Sequence, residues 1–225
     1  MTHTLHRRGK KKSYRKDIVM LIMSSKGINT EGSTKWKKEF FDAVLENGAV
    51  NVGEGVKLFL PLDKLEKDKK FYSYIKDKIT DRSNPMAVFD DPEKATASLK
   101  KLKESGNPLS FVISSDVEIT RSILNHNSIS SSAVELRVIE GDDHDGVFGK
   151  TSLLPEEHTL EIHSLCGHGM VSYSLIQRVL NDTKLGRISS EDGSKILARP
   201  CSCCVFNKKR AEEVLEQNRL KNSEL

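Results

Sequence analysis

Residues 86–113 read MAVFDDPEKATASLKKLKESGNPLSFVI, and this stretch decides the fold class. The apolar run 86–89 is strand-sized. Asp91 and Pro92 open a helix that runs to Ser105, with proline in the first turn, where its missing N–H is not needed. Residues 109–113 form the next strand. A helix beginning at Asp116 or a neighbour and running through Asn125, then a strand over 133–139, continue the pattern. A β-α-β-α-β alternation implies an α/β fold, a layered sheet with covering helices. Ferredoxin-like and doubly wound arrangements both fit it.

Toward the N-terminus, residues 17–24 (DIVMLIMS) read as a buried strand. A turn-rich loop follows over 25–32. Ser33 can cap a helix over 34–46, with Trp36, Phe40 and Val44 on one face, and Asn47-Gly48 ends it. Residues 56–61 form a second strand. Residues 65–79 form a charged helix with Leu65, Phe71, Tyr72, Ile75 and Ile79 inward. The loop 27–32 (GINTEG) stands between a strand and a helix, a position that suits an anion. It lacks the Gly-Lys-Ser/Thr ending of a phosphate-binding loop and any dinucleotide fingerprint, so a plain connection ranks first.

Toward the C-terminus, GDDHDG at 141–146 is a turn. Its acids and histidine can hold a cation, although such turns mostly serve as turns. Residues 158–163 (HTLEIH) are expected as the last strand. Helices follow over 169–180, 190–198 and 208–220. The chain therefore divides into a basic flexible arm (1–16), an α/β domain (17–155) and a helical, cysteine- and histidine-rich subdomain (156–225).

A chain of 225 residues is one large domain or two small ones, and either buries a proper core. Its longest apolar run, 18–23, is strand-sized and far below the roughly 20 residues a membrane span needs. The basic N-terminus has no apolar h-region behind it. A cytoplasmic protein without a membrane partner is expected. Part of the net charge of +4 is concentrated in residues 6–16 (HRRGKKKSYRK). Such a run can grip nucleic-acid phosphates. No aromatic interleaving or nucleic-acid motif accompanies it, so a solvated arm ranks ahead of that partner.

All four cysteines, Cys166, Cys201, Cys203 and Cys204, fall in the last sixty or so residues. Secreted disulfide scaffolds spread cysteines through small chains; clustered thiols without an export signal point to metal binding or catalysis. The first cluster is HSLCGHGMV at 163–171. With a strand before it and a helix behind it, Cys166 would stand at a strand end and a helix start, where ligands bind and thiolates are favoured. Strand alternation would put Glu161 and His163 on one side, near Cys166. Gly167 and Gly169 allow close approach of a cofactor to the backbone.

The second cluster is RPCSCCVFN at 199–207. Pro200 stops one helix and Asn207 can cap the next, pinning three thiols in a short loop. Cys201 and Cys203 can aim at one centre, with Cys204 ranked below them. Thirty-five positions separate Cys166 from Cys201. If the two helices between them, roughly 18 and 14 Å long, fold back as a hairpin, the motifs meet.

A sulfur-rich set suits an iron–sulfur cluster or zinc, with iron–sulfur ranked first. Cys166, Cys201 and Cys203 would be ligands, and Cys204, His163 or His168 would fill the fourth position or leave it open. A redox or Lewis-acid role acting on a small molecule is then expected. Cys166 and His168 are also the candidate catalytic pair. The alternative to any site is that the cysteines are ordinary core residues.

Cys166-Gly167-His168-Gly169 resembles the Cys-Gly-His-Gly segment of the proline racemase and hydroxyproline epimerase family. The resemblance covers those four residues and implies a metal-free acid/base enzyme. Cys166, at a helix start, would exchange an α-proton with the help of a second cysteine, matched to Cys201 after Pro200. The glycine-rich turn that follows the family's second cysteine is absent. A further alternative is a binding module for nucleic acid or protein, with zinc stapling its C-terminal helices.

Overall fold

The computed structural model describes residues 13, 15–54, 68–129, 152, 154–166, 169–202 and 204–220, with backbone alone for 68–71. The strands expected at 56–61 and 133–139, the turn at 141–146, and Gly167, His168 and Cys203 lie outside the described residues. Among those described, four strands form one sheet: β1 (Ile18–Met23), β2 (Asn51–Gly53), β3 (Met86–Phe89) and β4 (Ser110–Ser114). Four helices accompany them: α1 (Thr34–Glu46), α2 (Asp68–Lys78), α3 (Pro92–Glu104) and α4 (Val117–His126). Four more follow: α5 (Glu157–Ser164), α6 (Tyr173–Lys184), α7 (Ser190–Ala198) and α8 (Lys208–Leu220).

The strand order is β2-β3-β1-β4, and every neighbouring pair is antiparallel. Each βαβ unit is therefore split: β3 lies between β1 and β2, and β1 between β3 and β4. This interleaving is compatible with the ferredoxin-like alternative. A doubly wound sheet needs parallel neighbours, so that arrangement is corrected.

Strand period sorts the core into two layers. Ile18, Met20 and Ile22 of β1 face Phe40, Phe41 and Val44 of α1 and Leu99 and Leu102 of α3. Val19 and Val88, directly opposite each other on β1 and β3, face the other way. They pack against Ile162, Ile176, Val179, Leu197, Ala211 and Leu215 from the C-terminal helices. Both faces of the central strands are covered, which explains the unbroken apolar run IVMLIM on an antiparallel strand.

The segment 158–163 is helix, not strand. HTLEIH alternates over only six residues, too short a run for its period to decide between strand and helix. Glu156 stands at the N-cap, and Glu157 lies in the first turn at the positive end of the dipole. Within the helix, Glu161 and His163 point roughly 200° apart. They do not share a side, as strand geometry would have required. β2 is a strand that the sequence reading did not mark; Asn51-Val52-Gly53 is too short and too polar to register by period.

Ser33 occupies the N-cap of α1 but makes no side-chain cap bond to the helix. Asp81, from the turn before β3, takes that role. Its carboxylate accepts from Thr34 N (2.7 Å), Thr34 Oγ1 (2.6 Å) and Gly32 N (2.9 Å). The anion place suggested by loop 27–32 is thus filled from within the chain. Lys37 is fully buried behind it, donating from Nζ to the Asp81 carbonyl (2.7 Å) and Ser24 Oγ (3.0 Å). Burial pushes its ammonium down, partly offset by Asp81 and Glu54.

The Thr34 hydroxyl, then the amides of Thr34 and Gly32, hold the Asp81 carboxyl down at about 2. A depressed carboxylate stabilises the fold fully above its unfolded value and loses that contribution as pH falls through its folded value. Asp81→Asn should therefore lower the thermal midpoint at neutral pH. The gap from wild type should close as pH falls from about 4, the unfolded carboxylate value, toward 2. A gap that stays constant over that range contradicts this role.

Candidate functional site

Cys166, Cys201 and Cys204 are fully buried thiols, none of them in a disulfide. Cys166 and Cys201 belong to the same apolar cluster, the one that covers the Val19 and Val88 face of the sheet. The connecting helices α6 and α7 fold back on each other and both pack on α8. The two cysteine loops touch: Ser202 Oγ donates to Met170 Sδ at 3.7 Å. Ser202 follows Cys201 directly and Met170 stands four residues beyond Cys166, so the contact spans the seam between the motifs.

Cys166 does not open a helix. It follows the C-cap of α5, with its amide donating back to the His163 carbonyl at 3.3 Å. The next helix, α6, begins at Tyr173 behind its N-cap Ser172. The helix-start support expected for a thiolate is absent, because the nearer helix end is the negative one. The position that the racemase resemblance implies for Cys166 is corrected on the same ground.

His163 is the organiser of the first loop. Its Nδ1 is 2.8 Å from the Val171 carbonyl, and its ring centroid is 4.5 Å from that of Tyr173. A carbonyl only accepts, so Nδ1 carries a proton and Nε2 of the neutral ring keeps its lone pair. Gly169 turns back over that ring at φ +66°; a Cβ there would lie 3.5 Å from Nε2. With residues 169 and 171 both held on His163, Met170 is thrown outward toward Ser202 and remains 43 % exposed.

The second loop is drawn tight by the Cys204 amide, which donates to the Cys201 carbonyl at 3.3 Å. Cys204 has φ +60°, a left-handed conformation that a cysteine holds only under constraint from its surroundings. Its Sγ lies 3.9 Å from the Ser202 carbonyl of its own loop. Asn207 caps α8 as expected, accepting from Arg210 N at 3.0 Å.

Among the described residues, no three of His, Cys, Asp and Glu converge as metal ligands. Cys166, Cys201, Cys204 and His163 are all within that set.

Sequence reasoning missed the polar group that joins these loops to the sheet. Arg210 of α8, 1 % exposed, donates from Nη1 to Asp17 Oδ2 (2.9 Å) and from Nη2 to Glu161 Oε1 (2.9 Å). Ser13 Oγ donates to Glu161 Oε1 (2.7 Å) and accepts from Arg210 Nε (2.9 Å). Asn207 Nδ2 reaches Asp17 Oδ1 and the Lys16 carbonyl, both at 3.1 Å. Arg15 pairs with Asp116 and Glu118, and Lys16 with Glu213, so the described end of the basic arm is tied to the body. The one local signal was a glutamate inside an otherwise apolar stretch, LEI at 160–162.

Among the described residues, no helix is long and apolar enough to cross a membrane. No protein-family model, no curated protein and no solved structure matches the chain. The resemblance to the racemases stands on its four residues alone.

Two measurements check the His163 arrangement. Long-range proton–nitrogen NMR of the neutral ring should show Nδ1 protonated and Nε2 bare; the opposite tautomer contradicts the Val171 hydrogen bond. Gly169→Ala should cost about 1–2 kcal/mol in urea unfolding, because a side chain disfavours this left-handed backbone. An unchanged stability would mean that the turn is not held at this φ.

Proposed function

We propose that the seam between the 166–169 and 201–204 loops is a thiolate-ligated metal centre, with Cys166, Cys201 and Cys203 as the sulfur ligands. The Ser202–Met170 contact carries this reading, because it joins two thiol loops that are far apart in sequence. Cys204, turned back on its own loop, is left out of the set, and His168 or an open position completes it.

Sulfur-rich ligation ranks iron–sulfur ahead of zinc. Such a group supplies electron transfer, or Lewis acidity toward a small-molecule donor where one position is open. In this chain, His163 shapes the first loop through Val171 and Gly169, and Pro200 and Asn207 bound the second. The exposed side chains of Met170 and Tyr173 form the solvent edge of the seam.

Metal analysis and visible spectra of anaerobically purified protein test the proposal. Wild type should carry iron or zinc, Cys166→Ala and Cys201→Ala should each lose it, and Cys204→Ala should keep most of it. A colourless, metal-free wild type would sink the reading, as would full retention in both the Cys166 and Cys201 variants.

A further inference from the structure

The Arg210 group lies where it can act on both cysteine loops at once. Glu161 stands five residues before Cys166 on α5, which runs straight into the first loop. Arg210 and its cap Asn207 follow Cys204 by six and three residues, at the start of the helix that leaves the second loop. The guanidinium bonds Glu161 through both Nη2 (2.9 Å) and Nε (3.2 Å), fixing α5 against α8. Its Nη1 holds Asp17, the residue before the central strand.

We propose that Arg210 is the positioning residue of the thiol site: its fork on Glu161 and Asp17 sets the spacing of the two cysteine loops over the sheet. This rests on the metal-centre reading for its chemistry, but the geometry stands independently of any metal. Three features set this bridge apart from a surface ion pair. Arg210 and Asp17 are each 1 % exposed and Glu161 8 %, so solvent does not loosen it. The planar fork bonds two carboxylates from two elements, which a lysine cannot reproduce. Ser13 adds a hydrogen bond to the same Glu161 oxygen that the guanidinium holds, and Asn207 donates to the second Asp17 oxygen, so both carboxylates are anchored beside Arg210.

The test uses the full chain, reduced and free of metal, as wild type, Arg210→Lys and Glu161→Gln. The glutamine variant keeps the shape of the site and the Arg210–Asp17 pair, so it remains folded if the lysine variant does not. Iodoacetamide alkylation of Cys166 and Cys201, followed by mass spectrometry, reads the loops. Hydrogen exchange of the β1 amides reads global opening.

Alkylation at both cysteines should rise about tenfold or more in Glu161→Gln, with β1 exchange unchanged. Cobalt(II) titration of the same samples should show a dissociation constant weakened by a similar factor and an altered thiolate absorption, the scale expected when an outer-shell partner is lost. Alkylation rates equal to wild type, or rising only in step with β1 exchange, would overturn the positioning role. A wild type that binds no cobalt, but whose variants show the selective rise in alkylation, would retain the clamp and remove the metal centre.

Discussion

A single buried guanidinium holds this molecule together across its longest sequence separations. Arg210 joins the start of the central strand, through Asp17, to the helix before the first cysteine, through Glu161. One guanidinium faces two carboxylates, and hydrogen bonds from Ser13 and Asn207 offset part of the cost of burying them. Losing the guanidinium itself, which leaves two buried carboxylates without their cation, costs about 3–5 kcal/mol, because the survivors keep their desolvation penalty. That is a large part of the stability of an ordinary domain. Few core contacts carry as much, and none of those described ties so many elements together.

Around this tie the architecture follows from period and coverage. The four-stranded antiparallel sheet buries one face under α1 and α3 and offers the other as a platform built on Val19 and Val88. The C-terminal helices cover that platform and share its core. In doing so they bring Met170, four residues beyond Cys166, against Ser202, the neighbour of Cys201. The sheet thus acts as the floor of the thiol seam, with α5 and α8 as its rails.

Much of the fold was legible in the sequence. The continuous apolar runs of β1 and β3 and the helical period of α1 and α3 were readable, the last together with its Asp91 cap. Legibility failed where segments were short. HTLEIH alternates, yet lies within the helix α5, because so short a run does not decide the period. Asn51-Val52-Gly53 has too little apolar content to mark β2.

The cysteines drew notice by their clustering. The means of their meeting did not: Met170, Ser202, Asp17 and Arg210 look unremarkable locally and matter only through partners far along the chain. Asp81 was hidden for the same reason, since it caps a helix 47 residues upstream where local reading had assigned Ser33.

The chemical claim reduces to sulfur from two loops meeting on one ion. Metal K-edge X-ray absorption of anaerobically isolated protein addresses it most directly. About three sulfur neighbours near 2.3 Å around iron or zinc is the predicted result. A first shell of nitrogen and oxygen alone, or no absorption edge for either metal, would contradict it.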